Sequence, residues 1–138
     1  MIGKNNPLNI RYSRLNKWKG QTGQTRGFCD FESVDYCIRA CAILLMRSYR
    51  KRGIFTYGEI IRVYAPSCEN DTGAYLEYVC EKLGVTPFDT PTSIEDFSKL
   101  IYWMGVYESG DDFTSINFNH ILYIELVIEN FEIKAIRL

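Results

Sequence analysis

The stretch Phe97-Ser98-Lys99-Leu100-Ile101-Tyr102-Trp103-Met104-Gly105-Val106-Tyr107-Glu108-Ser109-Gly110 organises the rest of the chain. At helical spacing Phe97, Leu100, Ile101, Met104 and Glu108 share one face, so an apolar stripe ends in a carboxylate. Ser109-Gly110 stops the helix and leaves that carboxyl at a rim. A carboxylate beside apolar surface tends to keep its proton, as a general acid must. The plainer reading is a surface glutamate at a fraying helix end, and burial statistics favour it.

Working backwards, Thr92-Ser93-Ile94-Glu95 reads as a capping box that opens this helix, after a linker containing Pro87, Thr90 and Pro91. Asp71 or Thr72 caps a preceding helix with Tyr75, Tyr78, Val79 and Leu83 inward, stopped by Gly84. Before it, Thr56-Tyr57-Gly58-Glu59 is a second capping box, opening a short helix through Ile60, Ile61 and Val63 that Pro66 ends. The loop from Tyr64 to Thr72 joins the two. Val34, Ile38, Cys41, Ala42, Leu45 and Tyr49 recur at three- and four-residue intervals, which predicts one long helix from the N-cap Ser33 to Gly53. Arg47, Arg50, Lys51 and Arg52 complement its C-terminal dipole.

The ends are less regular. Residues 1–27 are loop-like, with one short strand predicted at Leu8–Tyr12, and Phe28–Phe31 reads as a strand or turn. In the tail, Ile121, Ile124, Ile128, Phe131 and Ala135 fit a helix, while β-branched content and a turn at Glu129-Asn130 fit a hairpin; the helix is preferred. The expectation is a mainly α chain with a small β element, forming a single domain over 1–138. It divides into a basic loop-rich arm (1–27), a helical core (28–110) and a C-terminal helix or hairpin (111–138).

Composition agrees with one globular core: 138 residues, 46% hydrophobic and 24% charged. The apolar run Ile38–Met46 is broken by Arg39 and helical in period, so we expect no signal peptide and no membrane span. With the cysteine usage, this favours synthesis in a reducing cytoplasm. Five cysteines, an odd number without framework spacing, point to free thiols and mostly to core packing. Charge is asymmetric: residues 1–52 hold 11 Lys+Arg against 3 Asp+Glu, and residues 53–138 hold 5 against 14. The first 26 residues carry six cations and no acid, a pattern that suits a polyanion such as nucleic acid or cell-wall polymer, or a solvated face balancing an acidic half.

Three kinds of chemistry compete. One uses Glu108 as proton donor with Glu69, in the polar Glu69-Asn70-Asp71 loop, as the second carboxylate of a glycosidase. Another pairs the sole histidine, His120, with a cysteine, Cys29 having the nearest to a suitable context; none of the five sits in a nucleophile motif. A zinc site from Cys37, Cys41, Cys68 and His120 lacks ligand spacing, and no metal or organic cofactor is expected. The third kind is binding without catalysis, through the basic arm with Tyr12, Trp18 and Phe28 interleaved. Trp18 itself reads either as a sugar-stacking face or as the cap of a small core.

Several segments resemble a family of small phage and prophage proteins. They are Asn5-Asn6-Pro7-Leu8-Asn9-Ile10-Arg11-Tyr12, Trp18-Lys19-Gly20, Gly27-Phe28-Cys29-Asp30-Phe31, Tyr64-Ala65-Pro66, and Glu69-Asn70-Asp71-Thr72 with Tyr75. Members open N-N-P-x-N-I-R and are usually described as virion structural proteins or peptidoglycan hydrolases. The likeness covers about residues 3–85 well and 86–110 loosely. A more distant similarity is to flagellar-type glucosaminidases of the lysozyme-like superfamily. Asn9-Ile10-Arg11, Phe28–Phe31 with the long helix, and Tyr64-Ala65-Pro66 with Tyr75 follow those enzymes in order. Their leading E-S-G appears here at the back, as Glu108-Ser109-Gly110, the order expected of a circular permutation.

The resemblance implies a lysozyme-like fold, circularly permuted, and cleavage of bacterial peptidoglycan with Glu108 as general acid. It further implies that Asn9, Trp18, Tyr64 and Tyr75 contact glycan. Two departures stand out. Pro66-Ser67-Cys68 replaces the T-D-P triplet, and the early β-like segment offers no second acid, for which Glu69 would substitute. The implied partners are peptidoglycan and other virion proteins, with nucleic acid the lesser alternative and no membrane. The protein would be made in the bacterial host cytoplasm and be virion-associated or released to the wall at infection or lysis. The main alternative is a non-catalytic virion structural or cargo protein.

Overall fold

A computed structural model describes residues 1–113 and 115–123 of the chain. The helices predicted around the Glu108 stretch form where expected. α1 spans Val34–Ile43, α2 Tyr57–Tyr64, α3 Thr72–Leu83, α4 Ile94–Ser109 and α5 Phe118–Tyr123, and a two-stranded antiparallel sheet pairs β1 (Gln21–Thr25) with β2 (Phe28–Phe31). The chain is thus mainly α with a small β element. Of the tail residues assigned to a helix or hairpin, Ile121 lies in α5; Ile124, Ile128, Glu129, Asn130, Phe131 and Ala135 lie outside the described residues.

Local chemistry explains the helix boundaries. Thr56 and Glu59 make the reciprocal capping box expected of them, and Asp71 caps α3 by accepting the Ala74 N–H. The cap of α4 lies one residue later than the Thr92/Glu95 box predicted. Ser93 accepts the Asp96 N–H at 3.0 Å, and Thr92 N–H donates back to Asp96 Oδ2 at 3.0 Å. Gly110 ends α4 at φ 76°, a left-handed turn that a side chain would oppose.

The long helix predicted from Ser33 to Gly53 is continuous but not uniform. After Ile43 it widens into a π-helical segment, Leu44–Tyr49, which sequence periodicity did not show. Leu44 and Tyr49, the first and last residues of this segment, line one recess together with residues of the N-terminal arm.

The core gathers Phe97, Leu100, Ile101 and Met104 of α4 against α1, α3 and α5, with Leu8, Ile10, Phe31, Ile38, Leu45, Ile61 and Val79 from the other elements. α4 is therefore the central helix, and its predicted stripe is its buried face.

The arm is more ordered than a loop. The strand expected at Leu8–Tyr12 reduces to one bridge, Arg11 to Phe28, yet Cys29 N–H donates to Ile10 O and Tyr12 N–H to Gly27 O, so residues 10–12 run along the free edge of β2. Gly3 lies so close to the same strand that a Cβ there would fall 2.1 Å from Cys29 O. The fastening is Asn6, which is fully buried. Its Nδ2 donates to Ile10 O and Cys29 O, both at 2.9 Å, while its Oδ1 accepts Ile10 N–H at 2.9 Å and the Cys37 thiol at 3.3 Å. Every polar valence of this carboxamide is used, as a buried amide requires.

Candidate active site

The arm, so fastened, forms one wall of a cleft of about 270 Å3. Asn9, Arg11 and Trp18 line that wall, with Phe28 of β2 beside them; Leu44 and Tyr49 come from the π-helical segment, and Tyr64 and Asn70 from α2 and the loop after it. Glu108 enters from the end of α4. Residues 99 positions apart in sequence meet here because α4 is central and the arm folds over its C-terminal end.

Glu108 is half-buried and held by two donors. Asn9 Nδ2 donates to Oε1 at 3.1 Å and the Tyr75 hydroxyl to Oε2 at 3.2 Å. Burial raises its pKa above the ordinary carboxylate value; the Asn9 and Tyr75 hydrogen bonds and the Arg11 charge pull the other way without reversing it. This is the environment of a carboxyl poised to hold and release a proton. The site also fixes direction. Each oxygen carries one bond from the protein, and each keeps a second lone pair for a proton or a ligand.

The neighbouring tyrosines are neutral donors. Burial raises the Tyr64 and Tyr75 hydroxyls well above their usual pKa, and the nearby Glu108 charge reinforces this in both. Tyr64 donates to Leu8 O at 2.6 Å, which ties the arm to α2. Tyr75 is only 1% exposed, its ring stacked on Tyr107 with centroids 4.2 Å apart. Expected to contact glycan, it does not line the cleft; it stands behind Glu108 and braces it.

The other predicted residues divide similarly. Asn9, Trp18 and Tyr64 all line the cleft with Glu108. Trp18 packs against the core and also lines the cleft, and a reciprocal pair of hydrogen bonds with Gln21 fixes its turn. Glu69 is not brought alongside Glu108. It sits exposed at the rim, ion-paired at 3.2 Å with Arg11, whose guanidinium lies 5.0 Å above the Phe28 ring. An acid does occupy the hairpin, Asp30, but its carboxylate accepts from Lys4 N–H and the Thr25 hydroxyl and does not line the cleft. Among the described residues Glu108 is the one carboxylate in the cleft lining.

The thiol alternatives fare differently. Cys29, Cys37, Cys41 and Cys80 are buried, and burial pushes the thiols up, Cys37 to about 12, the reverse of what a nucleophile needs. Cys68 is exposed in the 66–71 loop and His120 is exposed on α5. The described residues hold no cluster of three or more groups suited to a metal. Among the lining residues that the motifs did not single out as site residues are Leu44, Tyr49, Val63 and Asn70. Leu44 and Tyr49 are the first and last residues of the π-helical segment, and Asn9 adopts φ 51°, an uncommon angle for a non-glycine residue.

No family model matches the chain. Protein P5 of Pseudoalteromonas phage PM2 is 31% identical over 115 residues, covering 80% of this chain and 71% of that protein. The chain belongs to the Protein P5 family. It is accordingly a homologue of a phage protein, as its motifs suggested, and none of its described helices is long and apolar enough to cross a membrane.

Proposed function

We propose that this phage-family protein cleaves the glycan strand of bacterial peptidoglycan, with Glu108 as general acid and no metal or organic cofactor. One observation carries the reading: a half-buried carboxyl with a raised pKa, gripped by Asn9 and Tyr75, faces a cleft walled by Trp18 and Tyr64. Glu108 would give its proton to the glycosidic oxygen, and its carboxylate would then stand beside the oxocarbenium-like centre. With Glu69 paired to Arg11 at the rim, the same glutamate serves as acid and then as base, while a group on the substrate itself takes the nucleophile's place. Trp18 offers a stacking face, and the basic arm meets anionic wall polymer. The chain order of the motifs supports a lysozyme-like, circularly permuted arrangement in which α4 is the central helix.

The second reading is a non-catalytic virion structural or cargo protein that docks on the wall. The relationship to a phage protein favours it, and so does the lone carboxylate in the described cleft. Purified sacculi separate the two. Release of soluble muropeptides by the wild-type protein supports cleavage, and binding to sacculi with no release supports the structural role.

A further inference from the structure

Among the described residues Arg11 is the one cation in the cleft lining. Its guanidinium is held on two sides. The Arg11 backbone bridges to Phe28, and the guanidinium carbon lies 5.0 Å from the centre of the Phe28 ring, which lines the same cleft. Stacking of this kind steadies the plane of the fork and leaves the N–H groups at its edge to a partner. That partner is Glu69, whose Oε2 lies 3.2 Å from Nη2. Glu69 stands on the loop between α2 and α3, where its N–H donates to Pro66 O at 3.0 Å and its neighbour Asn70 lines the cleft.

The pair adds little to the fold. Its side chains are 57% and 44% exposed, and an ion pair so open to water is weak. The arm is fastened without it, by Asn6 and by the Tyr64 hydroxyl on Leu8 O. A weak pair at the edge of a cleft is easily exchanged, and the present occupant shows what chemistry the place takes: a carboxylate, which a guanidinium fork can meet with two parallel N–H groups. The Arg11 charge is also felt at Glu108, so a group paired with Arg11 shares the cleft with the acid. A neutral glycan has no such group. A wall strand carries carboxylates on its peptide side chains.

We propose that Arg11 is a specificity residue that binds a carboxylate of the wall strand, and that Glu69 holds this position until the strand displaces it. The exchange replaces one carboxylate by another at the same guanidinium, so the cation keeps a partner throughout. This rests on the glycan reading above and names the strands the cleft prefers, those whose carboxylates are free. It concerns binding and is separable from cleavage.

The test measures sedimentation of the intact protein with purified sacculi, before and after carbodiimide amidation of their carboxylates. Both samples are first stripped with hydrofluoric acid, so that phosphate polymers do not supply the anion. Amidation should weaken wild-type binding about tenfold, and Arg11→Gln should weaken binding to native sacculi to the same degree while leaving binding to amidated sacculi unchanged. Glu69→Gln should do the reverse, tightening binding to native sacculi by about two- to fivefold, the size of the exposed pair it removes, and this gain should vanish in the Arg11→Gln background. Arg26→Gln removes an equal charge from the turn between β1 and β2, away from the cleft lining, and should cost less than about twofold. Equal binding of native and amidated sacculi, binding of neither, a loss in Arg26→Gln as large as in Arg11→Gln, or no gain in Glu69→Gln would overturn the inference. Binding that depends on carboxylates and on Arg11, without muropeptide release, would support it and sink the catalytic reading alone. Muropeptide release at the same rate from native and amidated sacculi would do the opposite.

Discussion

Asn6→Ala tests whether the cleft depends on how the arm is fastened. The carboxamide is wholly buried and makes three bonds to backbone groups, to Ile10 N–H, Ile10 O and Cys29 O, besides accepting the Cys37 thiol. Ile10 O keeps a second donor, Cys29 N–H at 2.9 Å, so its loss is partial. Ile10 N–H has no such reserve and becomes a buried orphan. Three bonds at about 1 kcal/mol each, plus about 1–2 kcal/mol for the orphaned donor, give a destabilisation of about 4–5 kcal/mol. That is a large share of the roughly 5–15 kcal/mol expected for a domain. Urea denaturation followed by tryptophan fluorescence measures it, with an unchanged m-value showing that the two states compared are the same. A loss below about 1 kcal/mol would refute the reasoning, since arm and β2 would then hold together without Asn6.

Three further outcomes follow. Thr56→Ala removes the side chain that accepts Glu59 N–H in the α2 capping box and should cost about 1 kcal/mol in the same urea assay. Maleimide mass labelling of the native protein should modify Cys68 alone, with the other four cysteines reacting only after unfolding; labelling of Cys37 or Cys41 in the native state would contradict their burial. Glu108 should also leave a pH signature in stability. Its folded pKa is raised, so the folded state binds the proton more tightly than the unfolded one, and stability falls as pH rises from the ordinary carboxylate value through the raised one. Glu108→Gln lacks this term, so wild type should lose ground to it over that window and hold a constant deficit above; parallel stability curves would contradict the burial effect.

Much of the scaffold was legible in the residues. The stripe from Phe97 to Glu108, the Thr56/Glu59 box and the Gly84 and Gly110 stops are local signals, each read within one or two helical turns. The α4 cap fell one residue off because Thr92 and Ser93 are equally good caps; what decides is that Asp96, rather than Glu95, turns back to them. β1 was missed because Gln21-Thr22-Gly23-Gln24-Thr25 has no apolar alternation and forms only by pairing with β2. The π-helical segment likewise has no period of its own.

At the site, Glu108 stood out as an apolar stripe's misplaced charge, and the motif resemblance brought in Asn9, Trp18 and Tyr64. Tyr75 illustrates the limit: its helical face was right, but whether a buried tyrosine touches ligand or braces an acid depends on which atoms α4 sets opposite it. Glu69 was an extrapolation from the need for a second carboxylate, and its pairing with Arg11 could not be foreseen from spacing alone.

The central claim is that Glu108 is an acid in a glycan-cleaving cleft. Its most direct test compares wild type with Glu108→Gln on purified sacculi, after both are shown to be folded and to bind the sacculi equally. Gln is near-isosteric: its Oε1 can still accept the Asn9 NH2 while its own NH2 donates to the Tyr75 hydroxyl oxygen, so the cleft should survive. The account predicts muropeptide release by the wild type and its loss in the variant. Equal release by both would contradict the role assigned to Glu108.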